Sequence, residues 1–109
     1  MKVNVLGTEY KIVKGVKESD DPKLRRGGDG YCDFTTKKIV IAEMIADDNT
    51  VEDMDCYKKN VIRHELVHAF LYESGLDTCS DWARNEEIVD WIALQSEKMF
   101  KVFEELEIL

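Results

Sequence analysis

From Val51 through Ser74 the chain contains neither glycine nor proline, and the run stops at Gly75. Nothing in that stretch breaks an α-helix, and a glycine just past its end can take the left-handed conformation of a C-terminal cap. Asn49 and Thr50 precede it as N-cap residues, with Asp53 three positions after Thr50 as a weaker form of the capping box. Ile62, Leu66, Ala69 and Phe70 recur at helical spacing and give this helix one apolar stripe. A second helix is expected from Ser80 or Asp81 nearly to the C-terminus. Its stripe is Ile88, Ile92, Met99 and Phe103, widened by Trp82, Val89 and Leu106. Trp82 and Trp91 are expected to pack between the two helices.

The preceding residues read as strands and turns. Val3, Val5, Tyr10, Ile12 and Val16 alternate with polar neighbours around Gly7-Thr8, which predicts a hairpin with one buried face. Residues 17–29 hold Pro22, Gly27, Gly28 and charges of both signs, the composition of a surface loop. A second hairpin follows, from Tyr31 to Phe34, a turn at Thr35-Thr36-Lys37, and the strand Lys38–Ala42. Ile39, Val40 and Ile41 are β-branched in succession, which favours an extended segment that is apolar on both faces. The 109 residues suit a single domain. The fold class expected over 1–109 is α+β, a small antiparallel sheet packed against two main helices.

Charge and cysteine content narrow the surroundings. Fifteen Lys and Arg against twenty-three Asp and Glu leave 15 − 23 = −8. A chain this acidic repels phosphate backbones, so nucleic acid is not an expected partner. No apolar run is long enough to span a bilayer, and residues 1–20 lack the pattern of a secretory leader, so no membrane association is expected. Cys32, Cys56 and Cys79 are odd in number and widely spaced, which suits a reducing compartment and a cytoplasmic location.

Within the first helix stands His64-Glu65-Leu66-Val67-His68, a match to H-E-x-x-H, and its two histidines are the only ones in the chain. Four residues is close to one helical turn, so both imidazoles project from one face. That spacing suits two nitrogen ligands on one Zn²⁺. Glu65 lies about 100° around the helix. From there its carboxylate can serve as general base toward a water that the cation activates, without entering the coordination sphere. A further ligand cannot be histidine. The positions of Gly and the third His in H-E-x-x-H-x-x-G-x-x-H are Leu71 and Ser74 here. Carboxylates and Cys79 remain. Glu86 and Asp90 are spaced i, i+4 on the second helix, so one can ligate while the other accepts a hydrogen bond from the far nitrogen of a ligating imidazole.

H-E-x-x-H followed by N-E-x-x-x-D (Asn85, Glu86, Asp90) resembles the signature of gluzincin metallopeptidases. The short chain, the preceding strand and the run from Asn85 to Ala93 look most like the compact ImmA/IrrE-type metallopeptidases of prophages and mobile elements. The resemblance spans 39–93 and is carried by the two short motifs. It implies a minimal zincin-like architecture and a zinc-dependent peptidase acting on a peptide or protein substrate. In it His64, His68 and Glu86 hold Zn²⁺, Glu65 is the general base, and Asp90 supports a ligating imidazole. Glu87 rivals Glu86, because a shift of one residue exchanges them. Val67 departs from the family pattern, where many members carry glycine.

Peptidases of this kind take substrate as an extended strand along a sheet edge, a role that would fall to Lys38–Glu43 unless that segment is core. An electrophile for the tetrahedral oxyanion is needed as well. Tyr72, one turn beyond His68, is the first candidate, with Tyr31, Tyr57 and Arg84 as others. The alternative reading is a non-catalytic zinc-binding interaction module of a prophage or mobile element, and a third is a metal-free packing module whose paired histidines carry no function.

Overall fold

The computed structural model describes residues 1–24, 28–45 and 53–109. In chain order the elements are β1 (Lys2–Val5), β2 (Thr8–Val16), β3 (Gly30–Asp33), β4 (Lys38–Ala42), α1 (Met54–Glu73), α2 (Leu76–Cys79), a 3-10 turn at Asp81–Arg84, and α3 (Glu86–Glu105). The fold is α+β, a four-stranded sheet packed against helices, two of them long.

Both expected hairpins form. Val3 pairs with Tyr10 across the first, whose turn carries positive φ at Leu6 and Gly7, the backbone twist that tight hairpins favour. Cys32 pairs with Ile39 across the second. The sheet, however, is mixed rather than wholly antiparallel. Its order is β1-β2-β4-β3, and β2 runs parallel to β4, Ile12 opposite Ile39. A parallel neighbour needs a long crossover, and here the chain between β2 and β4 supplies it, with β3 laid down on the outer edge along the way. Strand β4 is therefore central. Ile39, Val40 and Ile41 are all buried, as an apolar run covered on both faces requires.

One face of the sheet meets α1. Val5, Tyr10, Ile12, Ile39, Ile41 and Ala69 make the main core, with Val61, Ile62 and Leu66 packed against it. Phe70, expected in that stripe, is 43% exposed. Gly30 brings β3 against the helix, since a Cβ there would lie 3.0 Å from the Val40 carbonyl oxygen and 3.2 Å from Val61. The end of α1 is moored to the sheet by Glu73. Its carboxylate accepts hydrogen bonds from the Tyr10 hydroxyl at 2.7 Å, Lys37 Nζ at 2.8 Å and the Thr8 hydroxyl at 3.0 Å.

The described helix α1 opens at Met54, with Asp53 accepting from the Cys56 amide; the caps expected at Asn49 and Thr50 lie outside the described residues. The second long helix opens later than Ser80 or Asp81. Ser80 is extended and Asp81–Arg84 form a 3-10 turn, after which Asn85 caps α3 by accepting from the amides of Glu87 and Ile88. Leu71, Ala83 and Val89 form a small second core where α1, this turn and α3 meet. Arg63 Nε donates to the Ala93 carbonyl at 2.7 Å and fixes the two long helices against each other.

The α3 stripe also differs from expectation. Val89 and Ala93 are fully buried, whereas Ile88, Met99 and Leu106 lie on an exposed face. Trp82 and Trp91 do not pack between the helices, being 48% and 56% exposed. Apolar residues surround this helix on more than one side, and the small pair Val89 and Ala93 permits the closest approach to α1. Replacing the cap, Asn85→Ala, is expected to lower stability by about 1 kcal/mol. Urea unfolding measures it, and an unchanged midpoint would show that the two amides need no cap.

Candidate metal centre

Helix α1 presents His64 and His68 on one face, their ring centroids 5.0 Å apart and their planes at 72°. Glu65 points from the same turn toward β3 and is 7% exposed. One ligand atom from each of His64, Glu65 and His68 lies within 4.8 Å of the others, so this group can hold a metal ion. The first turn of α3 comes down beside it. Nε2 of His64 is 2.9 Å from one oxygen of Glu86, and Nε2 of His68 is 3.0 Å from the other. On the far side of the first ring, His64 Nδ1 lies 3.2 Å from Asp90 Oδ1. The i, i+4 spacing of Glu86 and Asp90 thus brackets one imidazole from both of its nitrogens.

Capping sets which carboxylate comes into play. Asn85 starts α3, so Glu86 occupies its first position and faces α1. Glu87, about 100° further round, is exposed and makes no hydrogen bond or ion pair to either imidazole among the described residues. Cys79 is the exposed last residue of α2, its thiol donating to the Gly75 carbonyl, and does not join the cluster. Tyr72 is also elsewhere. Its ring stacks on Phe34 with centroids 4.2 Å apart, beneath the Lys37 ammonium. Of the other electrophile candidates, Tyr31 and Arg84 line the cleft beside the imidazoles. Arg84 is fixed there by the Asp77 carbonyl and, at 2.6 Å, by the Asp81 carboxylate.

This cleft has a volume of about 520 Å³, with Gly30, Cys32 and Phe34 along one wall and Glu86 and Arg84 along the other. Its strand wall is β3, the outer strand. Strand β4, expected as the substrate-pairing edge, is paired on both sides and has no free edge to offer. Burial shapes the electrostatics. It pushes the Glu65 carboxyl up to about 7, with nearby Glu86 adding to the rise and His64 opposing it. It holds His68 below the usual imidazole value, against the pull of Glu86, and so favours the neutral ring that can ligate a cation. Burial also pushes the Cys32 thiol up to about 12, assisted by Glu65, so this cleft residue stays protonated.

One residue at this site, Asp29, went unremarked in the sequence, and Tyr57, named there as an electrophile candidate, is engaged with it. Asp29 accepts a hydrogen bond from the Tyr57 hydroxyl beside His64. Tyr57, Val61, His64 and His68 follow a 4, 3, 4 spacing along α1, a periodicity that marks a common face. Asp29, which reaches the site from the loop before β3, has no such signal. No family model, curated protein or solved structure matches this chain.

Proposed function

We propose that the protein is a zinc-dependent metallopeptidase. The observation that carries this reading is the convergence of His64 Nε2 and His68 Nε2 on the two oxygens of Glu86, beside a buried Glu65 at the wall of an open cleft. Two imidazoles and a carboxylate are a donor set that suits Zn²⁺ in a site with an open position. His64, His68 and Glu86 would hold the ion. Asp90 would accept from the Nδ1–H of His64 and so fix the ring's tautomer and orientation. The chemistry the ion supplies is Lewis acidity, which lowers the pKa of water and polarises a carbonyl.

The remaining roles fall to the chain. Substrate binds as an extended strand along the free edge of β3, where main-chain hydrogen bonds supply affinity. Glu65 accepts the proton of the attacking water and delivers it to the departing amine nitrogen as the C–N bond breaks. Arg84, which lines the cleft and bonds the Asp77 carbonyl and the Asp81 carboxylate, offers a cation to the oxyanion. Tyr72 is too engaged with Phe34 to take that part.

The test is zinc content and peptide hydrolysis of the purified chain with and without a chelator. About one zinc per chain, and cleavage that stops on chelation, are expected. Occupancy should also fall in acid. Imidazoles ordinarily protonate near pH 6.5, and a ring whose pKa is lowered resists protonation until the pH is lower still. Burial lowers that of His68. Zinc release is therefore expected below about pH 6.5, and retention in strong acid would exclude imidazole ligation.

A further inference from the structure

The cleft continues past His64 into a second compartment of about 420 Å³, whose walls include Asp29, Tyr57, Asn60 and Asp90. Glu65 and His64 form the wall it shares with the first compartment. We propose that this second compartment is a subsite for a basic side chain, Lys or Arg, next to the scissile bond of a peptide substrate. The inference rests on the peptidase reading and deepens it.

Four observations favour a cation there. The carboxylates of Asp29, Glu65 and Asp90 line the compartment, and among the described residues no Lys or Arg does, although Arg63 donates to Asn60 Oδ1 beside it; Arg84 lines the first. Asp29 spends one acceptor position on the Tyr57 hydroxyl, and a carboxylate offers several. Asp90 meets His64 Nδ1 through Oδ1 and keeps its second oxygen. Glu65 is more than nine-tenths buried, faces both compartments, and has no hydrogen-bond or ion-pair partner among the described residues.

A bound divalent ion does not reverse the sign. Its two positive charges offset Glu65 and Glu86, and Asp29 and Asp90 remain negative on this flank. A lysyl or arginyl group entering beside them replaces water with charge-assisted hydrogen bonds. A neutral chain of the same length finds acceptors with nothing to donate.

The experiment titrates three blocked tripeptides, acetyl-Ala-X-Ala-amide with X as lysine, norleucine or glutamate, into the full chain with and without added zinc. Binding is read by NMR chemical-shift perturbation and cleavage by mass spectrometry. The lysine peptide is expected to bind about tenfold more tightly than the norleucine peptide, with glutamate weakest. The preference should shrink as salt is raised. Asp29→Asn keeps an acceptor for the Tyr57 hydroxyl and should bring the lysine-to-norleucine ratio toward one, with circular dichroism confirming the fold. A ratio near one in the wild type, no binding by any peptide, or a ratio that Asp29→Asn leaves intact would each overturn the subsite. Lysine preference without zinc-dependent cleavage would sink the peptidase reading and leave the compartment only a binding site for a basic side chain. Cleavage without that preference would sink the subsite and leave the peptidase reading standing.

Discussion

Glu65→Gln is expected to keep the zinc content of the wild type while lowering peptide hydrolysis by a factor of about 10²–10⁴. The amide has nearly the shape of the carboxyl and fills the same buried place between α1 and β3, so the imidazoles keep their positions. It cannot accept a proton from water. The pH profile provides an independent readout. A general base works only when ionised, and burial pushes Glu65 up to about 7. Wild-type activity should therefore rise with pH through the ionisation of Glu65, a limb that a bound cation shifts to lower pH. The Gln variant should lack it. A variant that hydrolyses peptide as fast as the wild type would remove Glu65 from the reaction. Wild-type protein that binds zinc tightly and cleaves nothing would favour the non-catalytic binding module.

The second large effect separates two adjacent residues. Glu86→Ala is expected to reduce zinc affinity by more than the 10–100-fold typical of losing a supporting partner, because on the proposed reading it removes a ligand. Glu87→Ala should leave affinity within about twofold, since an exposed side chain away from the site contributes little. Competition against a chromogenic chelator measures both. Equal losses, or a loss confined to Glu87→Ala, would mean that α3 begins in a different register from the one Asn85 sets. The contrast depends on the cap, since Glu86 faces the imidazoles only because the helix starts where the Asn85 side chain collects two amides.

Those two residues also show what the sequence disclosed. Spacing within one helix was readable: His64 with His68, and Glu86 with Asp90, share faces because a helical turn is nearly four residues long. Strands were readable from alternation and from the β-branched run at Ile39. Relations between elements were not. The parallel pairing of β2 with β4 depends on where a long connection returns, which no local pattern records, and with it went the choice of free sheet edge. Trp82 and Trp91 misled for a related reason. Hydrophobicity marks α3 on more than one side, and Trp91 lies away from the side that Val89 and Ala93 bury, while Trp82 falls in the 3-10 turn before α3 begins. Tyr72 followed the correct turn of α1, but Phe34, brought close by the second hairpin, claimed its ring.

The imidazoles stand on α1 and Glu86 on the first turn of α3, with only short helical turns between them. An ion gripping all three donors would thus be a further staple between two elements already held by the Arg63–Ala93 hydrogen bond and the small core of Leu71, Ala83 and Val89. Occupying it would add about 2.7 kcal/mol at a hundredfold excess of free ion over Kd. Heat resistance would then follow the supply of metal, and a zinc-starved chain would loosen first at the junction that carries its reactive groups.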